Sequence, residues 1–296
     1  MALPENRSHI ETEKQNQATM DLDILETETL VSLLAKDHQQ AVVAVEDASE
    51  EIASFINDLV GRVRDGGRLI YLGCGTSGRL GVLDAAECPP TFQTDPSLIV
   101  GLIAGGDRSL RTSSEGEEDK PDGARIALTE LSLTEVDTVL GIAAGGTTPW
   151  VIGGLKIAKQ MGANTAFLTC SSEIPSCDHL IRLDSGAEPL TGSTRMKAAT
   201  ATKLTLNIIT TALFTNLGKV YGNLMVDLKA SNSKLQDRAI RIVSEICELN
   251  REDASELLQR SGGDVKVAVV MDKSQVDAKT AQSMLDGVSG NLRDAL

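Results

Sequence analysis

Short apolar runs alternate with longer polar segments through the middle of the chain. The runs occupy residues 68–72, 98–104, 136–144, 165–169 and 180–183, and segments of helical length lie between them. Strands that are apolar on both faces and are joined by helices typically form a parallel sheet covered on both sides. The pattern therefore predicts an α/β fold, with a parallel sheet flanked by helices on both faces.

The pattern is different before the first run. Residues 1–57 begin with a polar arm, and apolar residues from Leu30 to Ile56 then recur at helical spacing. We expect an arm followed by one or two helices. These residues form the first part of the predicted organisation, and residues 58–222 form the α/β domain.

The pattern changes again after the last run. Residues 197–217 form one long, mostly apolar helical stretch, and glycine-rich loops largely disappear after about residue 223. Four short amphipathic helices are predicted beyond that point, at 234–249, 251–260, 264–271 and 275–286. We expect residues 223–296 to form a small helical bundle.

Composition narrows the class of protein. The 296 residues carry a net charge of −14, which argues against nucleic acid because its partners neutralise phosphates with Lys and Arg. The polar N-terminus lacks the apolar core of a signal peptide, and no apolar run has the length of a membrane span. The five scattered cysteines fit reduced thiols and show no metal-site spacing. We expect a cytoplasmic protein without nucleic-acid or membrane partners.

A glycine-rich loop follows the first apolar run. Residues 73–79 read GCGTSGR and precede a helix-like segment, so backbone N–H groups can converge on an anion at a helix N-terminus. The spacing also fits a dinucleotide fingerprint, but the acidic residue expected about 20 positions later is missing. Two hydroxyls and an arginine suit a terminal phosphate better. Gly75, Thr76 and Ser77 are the candidate ligands, and a tight turn without a ligand is the alternative.

Two further loops carry similar chemistry. One contains Gly146, Thr147 and Thr148, and the other contains Ser193, Thr194 and Arg195 at the start of the long helix. Hydroxyls at helix starts often serve only as N-caps. However, loops at the carboxyl ends of parallel strands share one edge of the sheet and form its binding crevice. Several such loops together favour a phosphorylated small molecule as the ligand.

Carboxylates form a second group of candidates. Glu87 precedes Cys88-Pro89-Pro90, and the two prolines predict that the helix ends there. A carboxylate at a helix C-terminus faces the negative end of the macrodipole, which favours its protonated form and general acid–base chemistry. Acidic residues also crowd positions 115–119. Solvated carboxylates at an exposed helix end and in an acidic loop are the alternative.

Long segments of the chain resemble signatures of the N-acetylmuramic acid 6-phosphate etherase family, which is built on the sugar isomerase (SIS) phosphosugar-binding fold. The resemblance includes an N-terminal TEKQN at 12–16 and four longer segments, GCGTSGRLGVLDAAECPPTF at 73–92, EGEED at 115–119, TGSTRMKAATATKLTLN at 191–207 and YGNLMVDLKASNSKL at 221–235. It implies a carbon–oxygen lyase of amino sugar catabolism and peptidoglycan recycling. A homodimer whose subunits help to close each other's sites is also implied.

The resemblance also implies a reaction. The family's two key glutamates correspond to Glu87 and Glu118. One carboxylate removes the C2 proton of the ring-opened sugar, and the D-lactyl ether at C3 then leaves. Water adds at C3 to give N-acetylglucosamine 6-phosphate and D-lactate. Neither a nicotinamide cofactor nor a metal is required. Glu87 is the favoured base and Glu118 the favoured acid or water activator, and the division of roles stays open.

The sequence departs from the family at one loop. Where the family commonly has Ser-Gly-Arg-Thr-Pro-Tyr, residues 145–150 read GGTTPW, so a serine and an arginine are missing. This departure keeps open a regulator that binds sugar phosphates without turnover. An aldose–ketose phosphate isomerase and, less favoured, a nicotinamide-dependent oxidoreductase are further alternatives. Release of lactate from the muramic acid substrate distinguishes the etherase from all three.

Overall fold

A five-stranded parallel sheet forms the centre of the computed structural model, which describes residues 6–228 and 232–296. Its strand order is β2-β1-β3-β4-β5. Each strand falls within one of the predicted apolar runs or overlaps it, so the predicted sheet is confirmed. The strands are β1 (Leu69–Gly73), β2 (Ile99–Ile103), β3 (Thr138–Ile142), β4 (Asn164–Thr169) and β5 (His179–Arg182).

Helices account for most of the remaining chain. Single 3-10 turns at Glu11–Glu13, Gln17–Thr19 and Leu22–Ile24 precede them in the arm. Three helices, rather than one or two, then lead to the sheet. The α-helices are α1 (Thr27–Asp37), α2 (Gln39–Asp47), α3 (Ser49–Arg64), α4 (Gly75–Phe92), α5 (Arg108–Arg111), α6 (Glu115–Glu118), α7 (Arg125–Glu130), α8 (Pro149–Gln160), α9 (Lys197–Asn216), α10 (Ser233–Cys247), α11 (Arg251–Arg260), α12 (Val265–Ser274), α13 (Ala278–Gly287) and α14 (Leu292–Ala295).

The chain divides into two compact units. The first comprises Met1–Ala86 and Ser97–Ile209, and the second comprises Glu87–Pro96 and Thr210–Leu296. In the first unit α8 packs against β3 and β4, while α3 packs against β5. Buried aliphatic side chains and Trp150 form the core between sheet and helices. Aromatic residues are scarce in the sequence, so aliphatic packing provides most of this core.

The second unit contains the predicted bundle of short helices. Four helices begin at a side-chain N-cap, where an Asn or Asp oxygen accepts a hydrogen bond from a backbone N–H three residues later. The caps are Asn232, Asn250, Asp264 and Asp277. Such caps satisfy N–H groups that have no partner within the helix. The apolar faces of these helices bury a core of Val, Leu, Ile and Ala.

One predicted helix end is wrong. Helix α4 does not stop at Glu87 but continues through Pro89 and Pro90 to Phe92. Beyond the prolines, Phe92 is buried and its ring lies 4.6 Å from that of Phe214. This aromatic contact offsets the backbone bonds that the prolines remove. The argument that placed Glu87 at the negative end of a helix therefore does not apply.

The cysteine prediction agrees with the structure, since all five cysteines are free thiols. Among the described residues, no helix combines the length and the apolar character needed to cross a bilayer.

Candidate active site

The strand order creates a crevice between β1 and β3. From β1 the chain crosses to β2 on one side, whereas β3 lies on the other side of β1. Gly73 ends β1 in register with Ile142 at the end of β3, so the loops that follow the two strands are neighbours. Open parallel sheets bind ligands at this kind of reversal. The loops predicted from sequence at 73–79 and 143–149 therefore lie at the expected binding edge.

The first loop turns at once into α4, which begins at Gly75. Helix and strand approach so closely that a Cβ on Gly78 would lie 2.6 Å from the carbonyl oxygen of Gly73. Glycine is required there because no side chain fits. Thr76 and Ser77 occupy the first helical turn, where Thr76 is exposed and Ser77 is half-buried. Backbone N–H groups of a first turn lack helical partners, so this turn can bind an anion as predicted.

The second loop packs against the segment that follows β4. Gly146 has a φ of +77°, and a Cβ there would lie 2.6 Å from the carbonyl oxygen of Glu173. Thr147 and Thr148 are half-buried next to it, and Pro149 begins α8 as expected from its fixed φ. The double glycine thus allows two loops at the binding edge to contact each other through backbone atoms.

The third loop leads into α9 and is anchored at both ends. The N–H of Gly192 donates to the carbonyl oxygen of Thr12 in the N-terminal arm, at 3.1 Å. Ser193 and Thr194 are half-buried, whereas Arg195 is exposed. The loop joins the arm to the start of α9, so its hydroxyls are held on the first unit together with the arm.

A buried carboxylate supports the start of α9. Both oxygens of Glu188 accept hydrogen bonds, from the N–H groups of Lys197 and Ala198 at 2.9 Å each. Burial raises the pKa of Glu188, and the two N–H donors partly oppose this rise. The Lys197 ammonium pairs with Asp37 at 3.1 Å, also largely away from solvent. Sequence reasoning missed this cluster, because its members are far apart along the chain.

Glu118 lies beside the first loop. It ends α6 and lines a cavity of about 40 Å³, together with Cys74, Gly75, Arg79, Ala104, Ser109, Ser113 and Ser114. Burial raises the pKa of the Cys74 thiol to about 12, and the negative charges of Glu118 and Asp119 add to the rise. Cys74 therefore stays protonated near neutrality. Since only a thiolate is a strong nucleophile, the site offers a carboxylate rather than a cysteine for chemistry.

Arg79 gives this cavity a cationic wall. Its Nε donates to the carbonyl oxygen of Leu110 at 3.1 Å, which fixes the guanidinium against the segment after β2. Ser109 and Ser114 share a hydrogen bond of 2.7 Å on the same wall. These residues were not among the sequence candidates, although Arg79 stands within the glycine-rich loop that was singled out.

Glu87 is placed differently. It is an exposed residue within α4, at the start of the stretch Glu87–Pro96 that belongs to the second unit. The other predicted site residues, from Gly75 to Arg195, belong to the first unit.

A second, larger cavity runs along the edge strand β2. Its volume is about 330 Å³, and its walls are Gly101, Leu102, Ile103, Gly105, Gly106, Asp107, Glu117, Gly123, Ile126, Ala127, Glu130 and Trp150. No group of three or more His, Cys, Asp or Glu side chains within the described residues is arranged to hold a metal ion.

Comparisons with known proteins agree with this geometry. The family model described as the glucokinase regulatory protein N-terminal SIS domain matches residues 51–159, and the model of that protein's C-terminal lid domain matches residues 222–285. A protein of Crocosphaera subtropica named N-acetylmuramic acid 6-phosphate etherase is 49% identical, over 99% of this chain and 97% of its own. A Synechocystis protein of the same name is 48% identical, over 100% and 98%.

The chain belongs to the N-acetylmuramic acid 6-phosphate etherase family. The resemblance inferred from the sequence is therefore confirmed. Among solved structures, a sugar-phosphate complex of a protein from E. coli CFT073 superposes with a TM-score of 0.50 at 19% identity, over 67% of this chain and 97% of its own. That likeness concerns the fold alone, and it confirms the SIS architecture.

Family membership gives the edge loops a common meaning. The segments that carry the resemblance at 73–92, 115–119 and 191–207 include the first turn of α4, the whole of α6 and the start of α9. They contain Thr76, Glu118 and Ser193, which were selected from the sequence before any contact was known. The etherase signatures and the binding edge of the sheet therefore largely coincide in the first unit.

Proposed function

We propose that this protein is a lyase that cleaves the D-lactyl ether of N-acetylmuramic acid 6-phosphate. The products are N-acetylglucosamine 6-phosphate and D-lactate, and one water is consumed. The observation that carries the proposal is near 50% identity over the whole chain with proteins named for this activity. The loops at the β1/β3 crevice support it, because they offer helix N-termini and hydroxyls to a phosphate.

We assign the catalytic carboxylates to Glu87 and Glu118, on the family's motifs. In the open-chain sugar the C1 aldehyde acidifies the C2 proton, which Glu87 removes. The lactate oxygen then leaves from C3 as Glu118 supplies a proton, and water adds to C3 with Glu118 acting as its activator. The elimination and the addition of water involve no net oxidation or reduction, so the proposed reaction uses acid–base groups of the chain alone.

The phosphate is assigned to the edge loops. Thr76 and Ser77 at the start of α4 bind it together with Ser193 and Thr194, and Thr147 and Thr148 replace the side chains that the family carries in the 145–150 loop. Gly75, Gly146 and Arg195 complete the proposed site. Each lost hydrogen bond to a charged phosphate costs about 1.5–3 kcal/mol, so the unphosphorylated sugar should bind far more weakly.

The decisive test is lactate release from N-acetylmuramic acid 6-phosphate. Replacement of Glu87 or Glu118 by Gln keeps the side-chain shape but removes the proton-transfer group, so turnover should fall about 10²–10⁴-fold with the fold intact. Glu130→Gln, on the wall of the other cavity, is the matched control and should keep its activity. Near-normal turnover of Glu87→Gln, or activity lost to a chelator and restored by metal, would contradict the proposal.

A sugar-phosphate regulator is the second candidate function. It is favoured by the two family models named for the glucokinase regulatory protein and by the altered 145–150 loop. Tight binding of the phosphosugar without any lactate release would favour this candidate.

We further propose a cytoplasmic homodimer. Every residue of α1 is exposed or half-buried, and the apolar side chains of Val31 and Val42 are 60% and 54% exposed on α1 and α2. Ile208 on the long helix α9 is also exposed. Apolar side chains that a chain leaves in water in this way suit an interface with a second copy.

A further inference from the structure

Thr12 has a buried hydroxyl without a partner. The residue lies in the 3-10 turn Glu11–Glu13 of the N-terminal arm and is fully buried. Its Oγ1 makes no hydrogen bond to any of the described residues. Most buried polar side-chain atoms are hydrogen-bonded, and each exception requires an explanation. Valine, which has the same shape, would avoid the cost, so the hydroxyl at this position indicates a function.

The hydroxyl faces the loop that follows β3. A Cβ built on Gly145 would lie 3.9 Å from Thr12 Oγ1, and the space around it is otherwise open to 4 Å. Thr12 therefore forms a wall of the space that a side chain at position 145 would fill. This space adjoins the Gly146-Thr147-Thr148 segment at the binding edge of the sheet.

Contacts on both sides of Thr12 hold the arm in this position. The Thr12 carbonyl oxygen accepts from the N–H of Gly192. His9 Nε2 lies 3.2 Å from Glu173 Oε1, and Asn16 Nδ2 donates to Asp37 Oδ1 at 2.9 Å. The arm is thus fixed to the loops after β4 and before α9, and the hydroxyl has a defined direction.

We propose that Thr12 is a further substrate-binding residue, whose hydroxyl donates a hydrogen bond to an oxygen of the phosphosugar at the Gly145–Thr148 loop. The identity of the ligand rests on the proposed function, whereas the position of the hydroxyl does not. The sugar phosphate supplies the acceptor that the protein itself does not provide. The N-terminal arm is then part of the binding site, in addition to packing on the domain.

Thr12→Val tests the proposal because it removes the hydroxyl and keeps the shape. The dissociation constant for N-acetylglucosamine 6-phosphate, measured by calorimetry, should rise about tenfold or more, as for a lost bond to a charged group. The KM for lactate release should rise in parallel, with kcat changed less. The midpoint of thermal unfolding should not fall, and Thr12→Ser should restore binding.

Thr138 supplies a matched control. Its hydroxyl is also buried and lacks a hydrogen-bond partner among the described residues, but it begins β3 at the opposite edge of the sheet. Thr138→Val should leave phosphosugar binding unchanged. Equal weakening by the two Val variants would overturn the proposal, as would wild-type binding by Thr12→Val.

A second variant covers the case in which Thr12→Val fails to fold. Gly145→Ala places a methyl group in the open space at ordinary contact distance from the Thr12 hydroxyl, and it should weaken binding similarly. Wild-type binding by Gly145→Ala would overturn the proposal. If the wild-type protein binds the phosphosugar but releases no lactate, the proposed function fails, and weaker binding by Thr12→Val would still support the role of Thr12.

Discussion

At the scale of single residues, burial decides which groups can react. Cys74 stands in the glycine-rich loop beside Glu118, a position in which a nucleophile would be useful. Burial and the neighbouring carboxylates raise its pKa to about 12, which keeps the thiol protonated. The local environment therefore selects carboxylate chemistry at this loop.

This leads to a prediction about Cys74. In the folded protein at neutral pH, iodoacetamide should label Cys74 much more slowly than in the urea-unfolded chain, because the thiolate is the reactive form. Peptide mapping by mass spectrometry measures both rates. Cys74→Ser should retain lactate release. Rapid labelling in the folded state, or an inactive serine variant, would show that the thiol has a chemical role.

At the scale of elements, a buried aspartate joins the starts of the two central strands. Asp137 Oδ1 accepts from the N–H of Arg68 at 2.9 Å and Oδ2 from Arg68 Nη2 at 2.8 Å, while the N–H of Thr134 donates to Oδ2 at 2.8 Å. Burial alone would raise the pKa of Asp137, but the bonds from Arg68 and Thr134 outweigh it and lower the pKa. The ionised carboxylate therefore stabilises the fold.

The sign of this shift predicts a pH dependence. Because the pKa of Asp137 is lower in the folded state, its stabilisation is complete above the unfolded value of about 3.9 and is lost as the pH falls through the folded value. Asp137→Asn should lower the free energy of unfolding by about 1–3 kcal/mol at pH 7, and the difference should shrink towards pH 3. Urea titrations at both pH values measure it.

An exposed pair provides the control for Asp137. Asp122 also pairs with an arginine, Arg125, at 2.8 Å, but both side chains are exposed. Surface pairs contribute about 0–1 kcal/mol, so Asp122→Asn should have little effect at either pH. Equal losses in the two variants would mean that burial of Asp137 does not matter.

At the scale of the whole molecule, α1 and α2 leave apolar side chains in solvent. Light scattering should give about twice the chain mass of 31.4 kDa. Glutamate at both Val31 and Val42 should shift the protein to monomers, because paired copies of a symmetric interface would bury like charges. Lactate release should fall with the dimer fraction if the subunits help to close each other's sites.

Ile126 is a suitable control for the dimer. It is 74% exposed on α7, so Ile126→Glu adds the same charge at another surface. This variant should remain dimeric and active. A wild-type monomer with full activity would reject both the dimer and the shared site.

The sequence by itself determined the sheet, most helices and the binding edge. Buried parallel strands must be apolar on both faces, so the five runs were visible without any knowledge of contacts. Loops at the ends of such strands carry function, and the family signatures include Glu118 and the first turn of α4. The N-caps of the short helices in the second unit are also local, because Asn250 and Asp264 bond only three residues ahead.

Only the tertiary structure decided features that depend on distant partners. Local rules ended α4 at Glu87, but the contact between Phe92 and Phe214 sustains the helix past two prolines. Glu188 became a cap for α9 because the chain folds back on its backbone N–H groups. Thr12 reached the binding edge through a bond to Gly192, 180 positions further along. Such contacts depend on the packing of whole elements, so neither periodicity nor spacing encodes them.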